Sequence, residues 1–371
     1  MVFVSFIIIL AIFFAYSEDN RIIKRGLTIS FWLIVVVFSL RYGYGNDFKE
    51  YEEWFYNIKS FSSLTMAIDG RPDIELGWLV LNYLCKPFGF QFVIAITTFA
   101  VCYIYYYLIN KYVPRPYRWI GVLIFLMYPN LFVLNLSMLR QGLAGALFFI
   151  SFFKGYESKW IQSIFFCILA ISVHQIAIIC IPFILMINFK RFLNPVLLVL
   201  LVIAVFIVLL LNPSFIENIF ANIMSNDFAY ESYSNYISKG GSEDVTLALF
   251  ARIVVVIPCI IWYKYLKELD KYLTIMFCIS PFTILLSTQT VMLLRLECFF
   301  LPFSTLLFSR LLLADSLFEA PPKNKALPRF VMKVASFGWV LFSVRSFFNF
   351  FSEPTYAKHF ANFHTILSEW L

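Results

Sequence analysis

The side chains of this sequence that could do chemistry are the ionisable ones set inside or at the ends of long apolar runs. Each such group costs about 2.5–3.5 kcal/mol at the centre of a bilayer and asks for a function. They are few: Arg140, His174, Arg252, Arg295 with Glu297, Arg345, and a loop entrance holding Arg41, Asp47 and Glu50. Arg140-Gln141 opens a run of small residues, Gly142, Ala144, Gly145 and Ala146, suited to close helix packing. A guanidinium beside the positive end of a helix dipole invites an anion, and a phosphate or pyrophosphate matches its fork of donors. Snorkelling to lipid headgroups is the plainer role. His174 is the one histidine outside the carboxy-terminal tail, which holds His359 and His364. It is either a hydrogen-bonded helix-end residue or, with an ordinary pKa of about 6.5, the best acceptor for a hydroxyl proton near neutrality. Asp47, after Gly43 and Gly45, is a helix N-cap or else a base or sugar-hydroxyl anchor. Arg295 and Glu297, two apart, do not face one another on a helix, so each should find a partner on another helix. Arg252 and Arg345 read as structural.

No motif calls for a cofactor. The seven cysteines lie almost entirely in apolar runs without Cys-x-x-Cys spacing, so they read as small buried hydrophobes and not as a metal site or disulfide set. There is no glycine-rich phosphate loop, no His-Glu-x-x-His and no repeat. Neither a metal nor a nucleotide nor a nucleic acid is expected as a partner.

The elements that must position these residues are membrane spans. Of 371 residues, 61% are apolar and 14% charged, where soluble domains carry roughly 45–50% and 25%. An ordinary soluble enzyme is excluded. The expected fold is all-α: a polytopic integral membrane protein of about twelve transmembrane helices, forming a single domain over 1–371. Apolar runs lie at 2–16, 27–40, 91–109, 118–134, 141–153, 160–173, 175–187, 196–211, 247–263, 272–291, 295–313 and 331–350. The first has no preceding basic residue and no cleavage site, so it reads as a retained span.

Charge placement threads the chain. Arg21, Lys24, Arg25; Lys111, Arg115, Arg118; Lys154, Lys159; Lys190, Arg191; Lys264, Lys267, Lys271; and the group from Arg310 to Lys333 fall in alternate connectors. The positive-inside rule makes that side cytoplasmic. The acidic connectors 41–74 and 213–246 then face outward, and so do Arg41, Asp47, Arg140, His174 and Arg295. This threading requires residues 75–90, closed by Lys86, Pro87 and Gly89, to form a re-entrant or interfacial helix. Making them a thirteenth span would bring the amino terminus and 41–74 inside.

In order and spacing, Gly45-x-Asp47-x-x-x-Tyr51, Glu75-x-Gly77-Trp78, Arg140-Gln141-x-x-Ala144, the lysine-rich turn at 154–159, His174-Gln175-x-Ala177 and Arg295-x-x-x-Phe299-Phe300 resemble the EpsG family of Wzy-type O-antigen and exopolysaccharide polymerases. The resemblance implies a GT-C-like glycosyltransferase of the bacterial inner membrane that joins undecaprenyl-diphosphate-linked oligosaccharides on the periplasmic side, with a chain-length regulator as a further partner. It implies diphosphate or sugar binding by Arg140, Gln141, Arg295, Glu75 and Glu297. His174 or Asp47 would take the proton of the attacking hydroxyl. Arg41 and Arg71 would assist with a second diphosphate. Three rivals share the composition. A lipid-sugar flippase should show inverted repeats and midplane charge, and neither is found. A membrane O-acyltransferase should take its donor from the cytoplasm, opposite to His174. A lipid-to-core ligase is separated only by the resemblance.

Overall fold

A computed structural model describes residues 1–58, 74–188, 243–287, 295–313, 326–360 and 362–367, with isolated positions at 200, 204 and 207. The second half of loop 41–74 with Arg71, most of the run 196–211 and almost all of loop 213–246 lie outside the described residues. The helices in order are α1 (Val2–Asp19), α2 (Gly26–Ser39), α3 (Phe48–Asn57), α4 (Leu76–Cys85), α5 (Phe90–Tyr112), α6 (Arg118–Met127), α7 (Leu139–Tyr156), α8 (Trp160–Val173) and α9 (Ile181–Asn188). There follow α10 (Glu243–Ile261), α11 (Glu268–Cys278), α12 (Ser280–Ser287), α13 (Glu297–Phe300), α14 (Phe303–Leu311), α15 (Ala326–Ser352) and α16 (Pro354–Phe360). The expected all-α class is observed. The chain divides into two compact units, Met1–Asn188 with Val340–Leu371, and Phe189–Trp339.

Among the described residues three helices, α1, α5 and α15, are long and apolar enough to cross a membrane, and α2, α8, Gln175–Asn188 and Leu247–Ile261 are shorter apolar helices. Their exposed faces show which solvent they need. On α1, Val4, Ile8, Ala11 and Ala15 are buried along one stripe, while Phe6, Ile9 and Phe13 are each more than half exposed. A helix apolar on its inner and outer faces alike is stable only where the outer face meets lipid. Three of the described expected spans are interrupted; the run 118–134 is helical only to Met127, two residues before Pro129, and then turns. The run 272–291 breaks between α11 and α12 next to Pro281, and the run 295–313 breaks between α13 and α14 at Pro302. Proline has no N–H to continue the helix ladder and crowds the preceding turn.

In the first unit the connectors sort into two hydrogen-bonded ends. At one end Leu27 N–H donates to Glu18 at 2.9 Å, Trp119 N–H donates to Asp19 at 3.0 Å, and Lys111 and Lys159 meet Glu157 at 2.6 and 2.8 Å. These are the basic connectors. At the other end, β1 (Arg41–Tyr42) pairs antiparallel with β2 (His364–Thr365), Arg41 opposite Thr365 and Tyr42 opposite His364. There too Asp47 N–H donates to Ser137 Oγ at 3.1 Å, and Gly45 N–H donates to the His359 carbonyl at 3.2 Å. Gly45 has φ +101°, and a Cβ there would stand 2.5 Å from that of Ser137. Only glycine allows the two connectors so close.

These contacts bear on the threading by parity. Residues that touch at one end must be separated by an even number of crossings. The Asp47–Ser137 bond therefore fits two crossings between them, and the thirteen-span alternative would need three. Helix α4 obeys the same logic. Its start lies beside α7 and α8, and beyond its end Lys86 donates to the Tyr56 carbonyl at 3.2 Å and Gln91 to the Arg41 carbonyl at 3.1 Å. Both termini of α4 therefore lie at the acidic end.

The aromatic residues fill the interior of both units. Tyr105 stacks on Phe125 at 4.0 Å, and Phe38 meets Phe132 edge-on at 5.0 Å. In the second unit Phe277, Phe308 and Trp339 form a triangle with centroids 5.0–5.2 Å apart. Among its described residues that unit also buries Arg252 paired with Glu297 at 3.0 Å and a bidentate Arg310–Asp270. Both satisfy the rule that a buried charge needs a partner.

A single cysteine introduced at Ser62 should be labelled by an impermeant maleimide from outside intact cells, as should one at Ser242, whereas one at Ser158 should be protected. Protection at Ser62 alone would favour the thirteen-span threading.

Candidate functional site

At the acidic end of the first unit one carboxylate joins three helices. Glu75 is the N-cap residue of α4, with φ −66° and ψ 141°. Its Oε2 accepts from Arg140, the second residue of α7, at 2.6 Å. Its Oε1 pairs with Nδ1 of His174 at 2.9 Å and accepts the Gln175 N–H at 3.0 Å, just past the end of α8. The side chains of Glu75, Arg140 and His174 are 9%, 16% and 8% exposed. A charge so far out of water persists only when its partners and hydrogen bonds replace hydration.

Local sequence explains the meeting. His174 leaves the helical region at φ −152°, ψ 110°, its N–H closing the last turn of α8 on Ala170. Gly77 brings α4 against that end. A Cβ at Gly77 would lie 2.3 Å from Ser172 Oγ and 2.7 Å from the Ser172 carbonyl, so any larger residue would push α4, and Glu75 with it, away from His174.

The electrostatics keep Glu75 ionised. Burial by itself raises the pKa of Glu75, but the hydrogen bond from His174, the charge of Arg140 and the Gln175 N–H outweigh it and hold the carboxyl at about 2. Glu75 is then an acceptor only, and Nδ1 of His174 carries the hydrogen of the 2.9 Å contact. In the neutral ring the lone pair is consequently at Nε2, the atom that can take a proton.

Helix α3 completes the surroundings. The Arg140 guanidinium lies 4.8 Å from the ring centre of Trp54 and 5.9 Å from that of Tyr51. Tyr51 in turn meets Trp54 and Trp78 edge-on at 5.2 and 5.4 Å. Tyr51 and Trp54 are three apart on one helix, but nothing in their spacing shows that they cover an arginine. Trp54 was not legible as a site residue.

The other expected site residues divide. The anion that meets Arg140 inside the protein is Glu75 itself. Gln141 is buried beside Arg140 on α7. Asp47 is the N-cap residue of α3, makes no side-chain cap bond, and is tied to this end through Ser137. Arg41 is 1% exposed and donates to the carbonyls of Phe38 and Leu136 and to Thr98 Oγ1, pinning the end of α2 to α5 and to the 134–136 turn. Burial pushes its pKa down to about 9. Glu297 is engaged with Arg252 in the second unit. Arg295, also in that unit, is half-buried in the turn before α13.

The EpsG family model matches residues 24–352. No curated protein matches the chain, and no solved structure does.

Because the folded carboxyl titrates near 2 and the ordinary value is 4.5, the unfolded chain binds the extra proton between them. The stabilisation is complete above about pH 4.5 and lost as pH falls toward 2. Thermal unfolding in detergent should therefore show a midpoint that drops over this window in the native protein and drops less in Glu75→Gln. Parallel pH curves for the two proteins would show that Glu75 is not held ionised.

Proposed function

The chain belongs to the EpsG family of Wzy-type polymerases, and we propose that it joins undecaprenyl-diphosphate-linked oligosaccharide repeat units by glycosyl transfer at the periplasmic face of a bacterial inner membrane, which it crosses twelve times in a GT-C-like arrangement. The observation that carries this reading is the carboxylate of Glu75, shared between Nδ1 of His174 and the guanidinium of Arg140.

In the proposed step the acceptor hydroxyl oxygen attacks the anomeric carbon of the donor. The bond from that carbon to the diphosphate oxygen breaks, and the lipid diphosphate leaves with the electron pair. The hydroxyl proton goes to Nε2 of His174, and Glu75 stabilises the imidazolium so formed through the Nδ1 bond. The charge balance favours this direction. With its imidazole in the neutral form, the cluster of Arg140, Glu75 and His174 carries no net charge. After proton transfer it carries one positive charge, created as the diphosphate departs. Glu75 and Tyr51 occupy part of the five-donor fork of Arg140, and the rest is proposed to bind phosphate oxygens. Asp47 is proposed as a sugar-hydroxyl anchor on the same end. Arg295 is proposed to supply further positive charge to a diphosphate, and Arg41 to act by holding the 41–47 and 134–140 connectors in place.

Purified protein given a lipid-linked repeat unit should make polymer ladders. His174→Ala should slow their formation at least about 100-fold, the usual worth of a general base, and Arg140→Ala and Arg295→Ala should abolish elongation while the protein stays in the membrane. Unaltered polysaccharide length in both arginine variants would end the diphosphate-binding role.

A further inference from the structure

The tail of the chain, residues 354–367, follows the family-matched segment, which ends at residue 352. Its helix α16 opens on Pro354, whose missing N–H is harmless in a first turn, and Tyr356 stacks on Phe350 at 4.4 Å. β2 then runs beside β1, and the Ile366 N–H extends the pairing by donating to the Leu40 carbonyl at 2.9 Å. Between these two holds Tyr44, 0% exposed, is gripped edge-on by Phe360 and Phe363, each at 5.2 Å. Phe363 also meets Phe38, near the end of α2, at 5.4 Å. What the tail grips is the connector 40–47, which has backbone freedom to lose because it carries Gly43 at φ +60° and Gly45 at φ +101°.

We propose that residues 354–367 are a strap that positions Asp47, with Phe363 as its positioning residue. A segment that covered apolar surface and did nothing else would need ring contacts alone. Here backbone bonds at Leu40 and at Gly45, the latter to the His359 carbonyl, flank the gripped Tyr44 and so fix the path of the connector as well as its coverage. Arg41 pins the start of that path, and the Asp47 N–H on Ser137 Oγ ends it. Asp47 is the second residue after Gly45, and its charge reaches the Tyr51 phenol, which accepts a hydrogen bond from Arg140. The tail thereby sets where the Asp47 carboxylate stands beside the Glu75 cluster. The role of Asp47 toward a sugar hydroxyl rests on the transfer reading above.

The test gives purified protein the lipid-linked repeat unit at varied concentration. Phe363→Ala should raise KM roughly tenfold, about the worth of one hydrogen bond to a charged group, with kcat within about twofold of the native value, because Glu75, Arg140 and His174 hold one another. Phe363→Tyr, which keeps the ring, should keep the native KM. Ile366→Pro deletes the N–H that Leu40 accepts. It should act like Phe363→Ala and replaces it if the alanine variant does not reach the membrane. In an Asp47→Asn background neither change should raise KM further. An unchanged KM in a strap variant that reaches the membrane would overturn the proposal. So would a fall in kcat at constant KM, or a rise in KM that multiplies with that of Asp47→Asn, since either means that the tail does not act through Asp47. If the native protein transfers nothing, the transfer reading fails, and the strap itself is judged by backbone hydrogen exchange in Ile366→Pro. Exchange of residues 42–47 several-fold faster than native, with α7 unchanged, supports it. Exchange equal to native, or raised alike in both segments, overturns it.

Discussion

A buried carboxylate is the constraint on which the rest of this end of the molecule depends. Glu75, 9% exposed, stays ionised only because Arg140, His174 and the Gln175 N–H all point at it, and those donors come from the start of α7 and the end of α8. Each of those helices must therefore stop or start at the same height. Gly77 permits the approach, the break in helical geometry at His174 turns the imidazole inward, and Arg41, fixed to Phe38, Thr98 and Leu136, holds the neighbouring connectors in register. Removing one partner would leave a charge without compensation, which is the costly way to disturb such a cluster.

The same cluster links membrane architecture to chemistry. Spans of an apolar chain are interchangeable in composition, and Phe packs against lipid as well as against a core. What distinguishes one end of the first unit from the other is its connectors: lysines and arginines around Glu18, Asp19 and Glu157 at one end, and Asp47, Glu50 and Glu75 at the other. Glu157 is bound by two partly exposed lysines and a tyrosine hydroxyl, an arrangement suited to closing a connector. Glu75 is enclosed by an arginine and an imidazole, the arrangement on which the proposed proton transfer rests.

Much of this was legible before any coordinates. The all-α membrane class followed from composition, and Arg140 and His174 stood out because ionisable groups are scarce in apolar runs. The partners of Glu297 and Arg140 were foreseeable only as a requirement, since Glu75 lies 65 residues from Arg140 and 99 from His174 and no local spacing reports such a pairing. The resemblance to the family supplied Glu75 as a motif residue; the geometry supplies its physical role. Arg41 and Trp54 show the two ways in which residue type misleads. An arginine at a loop entrance looks like an anion site but serves as a buried pin, and one tryptophan among eight gains significance only from the guanidinium it covers.

The central claim is that Glu75 acts through His174. It is tested most directly by a double-mutant cycle on the rate of polymer formation by purified protein, using Glu75→Gln, His174→Ala and the two together. The account predicts that Glu75→Gln slows the native enzyme but has almost no further effect once His174 is alanine, because the carboxylate then has no imidazole to orient. Losses that simply multiply would show two independent contributions and contradict it.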